Sequence, residues 1–87
     1  INDKAHRIRF WAAPAQVAYI ETKPLHKSQF VVQRNEDGSA IFQMEVVLNY
    51  ELEKDLLGFG EGVKVLSPRI LVHNMSRRLR QAADNYR

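Results

Sequence analysis

The chain has 87 residues, with 13 Lys and Arg against 10 Asp and Glu, three His and no Cys. That length predicts a single domain with a modest core, below the typical domain size of about 100 to 150 residues. The lack of cysteine excludes a disulfide scaffold and any thiolate-bound metal. Because the sequence begins at Ile1, we expect residues 1–87 to be one domain cut from a longer protein. The sequence holds no apolar run near the roughly 20 residues that span a bilayer, so we expect this domain to be cytoplasmic and to make no membrane contact.

The first predicted element is a strand over residues 6–11, because apolar and polar side chains alternate along it. Ile8 and Phe10 fall on one face, which we expect to be buried. The other face carries the basic and aromatic side chains Arg7, Arg9 and Trp11.

A helix and a hairpin follow this strand. Pro14, whose φ suits a first helical turn, begins a predicted helix that ends near residue 23. Strands are predicted over residues 29–34 and 40–48. The residues between them hold the pair Asp37-Gly38, which is typical of a hairpin turn.

Capping chemistry indicates the second helix and the turn after it. Asn49 can accept a hydrogen bond from the free N–H groups at the start of a helix that runs to Leu57. The glycines at 58, 60 and 62 can take positive φ, so we interpret this run as a turn. Phosphate-binding loops lead from a strand into a helix, whereas this run leads from a helix into a strand.

A short strand over residues 63–66 leads into the last predicted helix. Ser67 offers a capping hydroxyl, and Pro68 suits the first turn. Apolar residues then recur every three or four positions, which places them on one helical stripe. The stripe consists of Leu71, Met75, Leu79, Ala82 and Tyr86.

The order strand, helix, strand, strand, helix, strand, helix predicts an α+β fold. Its first six elements match the ferredoxin-like βαββαβ plan, in which two helices cover one face of a four-stranded antiparallel sheet. The C-terminal helix is additional. The predicted core consists of Ile8, Phe10, Val17, Ile20, Phe30, Val32, Phe42, Met44, Val46, Leu52, Leu56, Val63 and Val65.

Four motifs follow one another along nearly the whole chain: an Asp-Gly-Ser turn, a helix ending in two leucines before a glycine, a strand exit of the form Val-x-Val-Leu-x-Pro, and a last helix ending near a tyrosine. Their residues are Asp37, Gly38 and Ser39, then Leu56, Leu57 and Gly60, then Val63, Val65, Leu66 and Pro68, and finally Tyr86. In these motifs the chain resembles the C-terminal extension (WCX) domain of WYL-domain transcriptional regulators of bacteria.

The resemblance implies a regulatory role. Such regulators combine a helix-turn-helix domain that binds DNA, a WYL domain that senses a ligand, often nucleic acid, and this extension, which supports dimer formation and relays the sensed state. We therefore expect a non-enzymatic module that works with its own WYL and helix-turn-helix domains in a homodimeric parent. Trp11 is followed by Ala12, so the tripeptide that names the WYL domain is absent there and its ligand contacts do not transfer.

The basic excess of the chain lies at its C-terminal end. Residues 69–87 carry five arginines against the single carboxylate of Asp84, a net +4, whereas residues 1–68 carry eight Lys or Arg against nine Asp or Glu, a net −1. One interpretation is a patch for phosphates or an acidic partner, formed by Arg77, Arg78 and Arg80. The other is a solvated helix face whose cations favour the C-terminal end of the helix dipole.

The uncovered face of the predicted sheet is the second candidate surface. There Arg7, Arg9 and Trp11 would lie beside Gln43 and Glu45, an interleaving that can stack bases and neutralise phosphates. Alternatively, Arg9 pairs with Glu45 across the strands while the last helix or a neighbouring domain covers Trp11. The outer strand would add Gln29, Val31 and Gln33 to this face.

No catalytic, cofactor or metal residue emerges from the sequence. The histidines His6, His26 and His73 lie on separate predicted elements without an acidic partner at ligand spacing. The serines lack a nucleophile-elbow context. The segment from His26 to Gln29 can be interpreted either as an anion site or as an ordinary polar loop.

Two other functional classes stay open. The first is a small-molecule sensor of the ferredoxin-like, ACT type, which would hold its ligand at an apolar dimer seam. The second is a single-stranded nucleic-acid-binding module that uses the open sheet, for which binding should depend steeply on salt.

Overall fold

The computed structural model describes residues 4–87; residues 1–3, which the predicted domain 1–87 includes, lie outside the described residues. Four strands and three helices confirm the predicted α+β fold. The elements are β1 (Ala5–Ala12), α1 (Pro14–Thr22), β2 (Phe30–Arg34), β3 (Ala40–Val47), α2 (Tyr50–Leu57), a 3₁₀ turn (Gly60–Gly62), β4 (Val63–Ser67) and α3 (Arg69–Asp84).

The four strands form one antiparallel sheet in the order β2-β3-β1-β4. β1 and β3 lie in the middle and pair along their whole length, from Ala5 opposite Val47 to Ala12 opposite Ala40. β2 and β4 are the edge strands. The central pair therefore carries the most buried side chains of the sheet.

The core lies between the sheet and the helices. The rings of Phe10 and Phe42, which are cross-strand partners, stack with their centroids 5.3 Å apart. Full burial of one such side chain stabilises the fold by about 1.5 to 3 kcal/mol. The buried apolar residues are Ile8, Phe10, Ala12, Val17, Ile20, Ala40, Phe42, Met44, Val46, Leu52, Leu56, Val65, Leu71 and Met75, and Val63 packs against them while half-buried.

The predicted inward face of β2 is wrong. Phe30, expected in the core, lies opposite Gln43 on the other face of the sheet and is 52% exposed, and Val32 is exposed as well. Val31, expected on the open face, lies opposite Phe42 and packs against the core. The pairing register with β3 places Phe30 outward, and a bulge between Val31 and Gln33 then breaks the alternation, so sequence periodicity did not identify the buried face.

The hairpin between β2 and β3 turns at the predicted Asp-Gly pair. Gly38 has a φ of 94°, a conformation that a side chain would strain. The Asp37 carboxylate accepts hydrogen bonds from the backbone N–H of Ser39 at 2.9 Å and from its hydroxyl at 2.6 Å. The Ser39 hydroxyl and then its N–H hold the pKa of Asp37 below the ordinary value of 3.8, because both stabilise the ionised carboxyl.

The second helix begins as predicted. The Asn49 side chain accepts a hydrogen bond from the Leu52 N–H at 2.8 Å. After α2 the glycine run forms the expected turn, in which Gly60 has a φ of 56°. The Cβ of any other residue at position 62 would lie 2.8 Å from Cγ of Gln16 in α1, so a substitution there would have to displace the Gln16 side chain.

The start of α3 differs from the prediction. Ser67 is the last residue of β4 and pairs with Arg9, Pro68 lies at the cap position, and no side chain among residues 4–87 caps the helix. The helix begins at Arg69, so Ser67 lies one residue before the cap position. Of the predicted apolar stripe only Leu71 and Met75 are buried.

Candidate functional site

The open face of the sheet carries the predicted cluster of cations and an aromatic ring. Arg7 and Arg9 are exposed on the face of β1 opposite Ile8 and Phe10. Arg7 lies across from Glu45, whereas Arg9 lies across from Gln43. The Arg9 Nε donates to the Gln43 Oε1 at 2.8 Å, so the expected pairing of Arg9 with Glu45 is wrong.

Trp11 lies on the same face and is half-buried. Its cross-strand partner in β4 is Lys64, whose ammonium group lies over the indole ring at 6.0 Å from the centroid. A lysine at this distance gains a cation–π attraction of about 0.5 to 1 kcal/mol at exposed sites. The cation beside Trp11, Lys64, therefore comes from the neighbouring edge strand β4. The surface predicted from the sequence did not include this strand.

Phe30 is the second residue of this face that sequence reasoning missed. It lies opposite Gln43, which in turn lies opposite Arg9, so an aromatic ring, an amide and a guanidinium follow one another across three strands. The alternation of the 63–66 strand could have indicated Lys64. No local signal identifies Phe30, because its face depends on pairing with β3.

The three arginines of the terminal helix do not form one patch. Arg78 Nε donates to Glu53 of α2 at 2.6 Å, and its guanidinium lies 5.1 Å from the centroid of the Tyr50 ring. The Glu53 side chain is only 10% exposed and also accepts a hydrogen bond from Asn74 at 3.4 Å. Arg78 therefore attaches α3 to α2.

The other two arginines are exposed on α3. Arg80 donates to the hydroxyl of Ser76 at 3.1 Å and to its carbonyl at 3.4 Å, within its own helix. Arg77 and Arg80 remain accessible to a partner. Because Arg78 is paired with Glu53, the predicted basic patch on α3 retains two of its three arginines.

The loop before β2 uses its polar groups internally. The Ser28 hydroxyl accepts a hydrogen bond from the Glu45 N–H at 2.9 Å, and His26 Nδ1 lies 2.8 Å from that hydroxyl. The Gln29 side chain donates to the Ile20 carbonyl at 3.2 Å and accepts from the Leu25 N–H at 2.9 Å. These contacts favour the ordinary loop over the anion site.

A second ion pair joins α1 to β2 away from the open face. Arg34 donates to both oxygens of Glu21, at 2.5 and 3.3 Å. The hydrogen bond from Arg34, with its charge, holds the pKa of the exposed Glu21 below 4.5. This geometry stabilises the hairpin edge and leaves Arg34 engaged.

Within residues 4–87, no three His, Cys, Asp or Glu side chains lie close enough together to hold a metal ion. None of the helices in that range has the length and apolar character needed to cross a membrane. The surfaces that remain for function are the open sheet face, the exposed part of α3 and the space beside β4.

Comparison with known families identifies the chain. The family model of the WCX domain matches residues 4–83. The chain therefore belongs to the WCX domain family, which confirms the resemblance drawn from the motifs. A comparison with curated proteins finds no match.

Proposed function

We propose that the chain is a regulatory and dimerisation module of a bacterial transcription factor, which relays effector sensing from a WYL domain to a DNA-binding helix-turn-helix domain. The observation that carries this proposal is the WCX match over residues 4–83. In this proposal the module is not an enzyme. Its partners are the WYL and helix-turn-helix domains of the same protein, which is a cytoplasmic homodimer. Nucleic acid can be sensed through this complete protein.

We include the ferredoxin-like plan in the proposal. It is supported by the positions of the strands, since β1 and β3 are central and β2 and β4 lie at the edges. The helices α1 and α2 contribute Val17, Ile20, Leu52 and Leu56 to the core formed with the sheet. The additional helix α3 contributes Leu71 and Met75.

Exposed apolar residues on α3 support an interaction role. Leu79 is 43% and Tyr86 is 91% exposed, although both continue the stripe whose first members are buried. Ile70 is exposed on the first turn of the same helix. Such residues favour a helix that packs against another domain in the complete protein.

The test begins with the coding sequence upstream of Ile1, which should encode a WYL domain and a helix-turn-helix domain. The complete regulator is then compared with a version that lacks residues 4–87. Sedimentation should show a dimer that weakens on deletion, and operator binding should lose its response to effector. A deletion variant with unchanged association and unchanged effector response would contradict the proposal.

A second candidate function is single-stranded nucleic-acid binding by the open sheet face. The specific observation that favours it is the exposed Phe30 ring, which with Trp11 supplies two aromatic surfaces beside Arg7, Arg9 and Lys64. Stacking on such a ring is worth about 1 to 3 kcal/mol per base, and each cation that contacts a phosphate adds to the salt dependence.

A fluorescence-anisotropy titration with a short labelled oligothymidylate at low salt tests this candidate. Trp11→Ala and Phe30→Ala should each weaken binding, whereas Tyr86→Ala removes an exposed ring elsewhere and should not. Arg9→Ala should flatten the salt slope, and Arg77→Ala should leave it unchanged. If Arg77, Arg78 and Arg80 carry the slope instead, the helix is the contact; no binding at low salt eliminates both nucleic-acid surfaces.

A further inference from the structure

The outer edge of the sheet at β4 has unpaired backbone groups. Among residues 4–87, β4 pairs only with β1. The carbonyl of Gly62 accepts a 2.8 Å hydrogen bond from the Ala13 N–H, so Gly62 faces β1. Because this orientation alternates along an antiparallel strand, Lys64 also faces β1, and the N–H and C=O groups of Val63 and Val65 point away from the sheet.

A cleft of about 490 Å³ runs along this edge. Three consecutive residues of β4, Val63 to Val65, line it. Side chains of consecutive strand residues point to opposite faces of a sheet. A cleft on one face of the sheet would therefore not be lined by Val63, Lys64 and Val65 together, whereas a cleft along the edge of the strand is. The outward backbone groups of β4 therefore face this space.

The opposite wall of the cleft is one face of α3. Its lining residues follow the spacing of a single helical face, and four of the six are apolar. They are Val72, Met75, Ser76, Leu79, Arg80 and Ala83. Eleven steps of 1.5 Å give this wall a length of about 16 Å, which equals about five residues of an extended strand.

We propose that this cleft binds an extended, apolar polypeptide segment of net negative charge, which adds to β4 as a fifth strand. Strand addition to a sheet edge combines main-chain hydrogen bonds with pockets for alternate side chains. Val63 and Val65 supply the main-chain groups, and the apolar face of α3 supplies the pockets. The volume lies within the range of about 300 to 1,000 Å³ that ligand clefts occupy. This binding activity goes beyond the regulatory role proposed above, and it shares Leu79 with the face of α3 to which that proposal assigns an interaction.

Lysine on an edge strand commonly blocks further strand pairing. In β4, the Lys64 ammonium lies over the Trp11 ring on the open face of the sheet, 6.0 Å from its centroid. Its charge is therefore turned away from the hydrogen-bonding edge. The edge stays accessible to a segment that approaches between β4 and α3.

The charge of α3 favours an acidic segment over a second copy of the chain. Residues 69–87 hold five arginines and one aspartate. Pairing β4 with β4 of another copy would bring two such helices together, and their like charges repel. An extended segment brings no second helix. Arg80 and Glu61 both line the cleft, and Arg80 attracts a carboxylate on the segment whereas Glu61 repels one, so we expect the acidic residue of the segment to lie beside Arg80 and away from Glu61.

A displayed library of random linear peptides, panned against the chain, supplies the probe. The enriched peptide is then synthesised with a fluorescein label and titrated by anisotropy. Ala83 and Ala82 are both exposed on α3, but only Ala83 lines the cleft. Ala83→Glu should weaken binding at least about tenfold through steric and charge conflict, whereas Ala82→Glu, with the same net charge, should stay within about twofold.

Amide hydrogen exchange identifies the binding mode. The peptide should protect the N–H groups of Val63 and Val65, while the Lys64 N–H, already directed to β1, should change little. Failure to enrich an acidic, apolar peptide, equal effects of the two glutamate variants, or unprotected Val63 and Val65 amides would each overturn the proposal. Protection that rises with protein concentration in the absence of peptide would assign the edge to a second copy and overturn the proposed occupant.

Discussion

Replacing Arg78 by alanine should destabilise the domain by about 2 kcal/mol, although Arg78 lies on a helix that sequence analysis interpreted as a basic surface. Its Nε lies 2.6 Å from Glu53 Oε1, and the two side chains are 34% and 10% exposed. Removal of one partner costs about 3 to 5 kcal/mol in a fully buried pair and about 0.2 to 1 kcal/mol in an exposed one. This pair is intermediate, because Glu53 is enclosed while Arg78 reaches solvent.

The loss should appear in urea and thermal unfolding followed by circular dichroism. For a domain of 60 to 100 residues, 1 kcal/mol shifts the melting temperature by about 4 to 8 °C, so the Arg78→Ala protein should melt about 8 to 16 °C lower. Arg77→Ala is the matched control, since Arg77 is the exposed neighbour on the same helix and should shift unfolding little. A double-mutant cycle with Glu53→Gln isolates the coupling between the two side chains.

The cycle also gives the result that would refute the reasoning. If Arg78→Ala costs no more than Arg77→Ala, or if its effect is unchanged when Glu53→Gln is already present, the ion pair does not attach α3 to α2. Arg78 would then return to the candidate surface for phosphates, together with Arg77 and Arg80.

Three further predictions test the core, the hairpin and the association of the chain. Phe42→Ala should cost about 3 to 5 kcal/mol in urea unfolding because the ring is buried against Phe10, whereas Phe30→Ala should cost less than about 1 kcal/mol; the reverse order would contradict the observed face of β2. At pH values above 3.8, the Asp37→Asn protein should unfold at a lower urea concentration than the wild-type protein. This difference should disappear as the pH falls through the lowered pKa of Asp37, because the ionised carboxyl is the stabilised form. A difference in urea midpoint that does not change with pH would contradict this prediction. Light scattering over a salt series should show that the chain alone associates weakly, since the arginines of α3 repel each other, and a tight, salt-insensitive dimer would point to an apolar interface instead.

Local chemistry determined most of the element order. Several local signals act within a few residues, so each can be predicted from the sequence. They are the alternation in β1, the proline at the start of α1, the Asn49 cap and the Asp-Gly turn. The resemblance to the WCX domain could also be recognised from the sequence, because its motifs combine such local signals in a set order. The match over residues 4–83 confirms this resemblance. Eleven of the thirteen predicted core residues are buried or half-buried and pack in the core.

The tertiary structure decided what depends on pairing between distant segments. The face of β2 follows from its register with β3 and from a bulge, so the outward position of Phe30 has no signal in its own strand. The partners of Arg78 and of Trp11, Glu53 and Lys64, come from other elements. The cleft beside β4 likewise exists only because α3 folds back along that strand. Local propensities act over one or two turns of chain, whereas a surface is composed of residues that only the folded topology brings together.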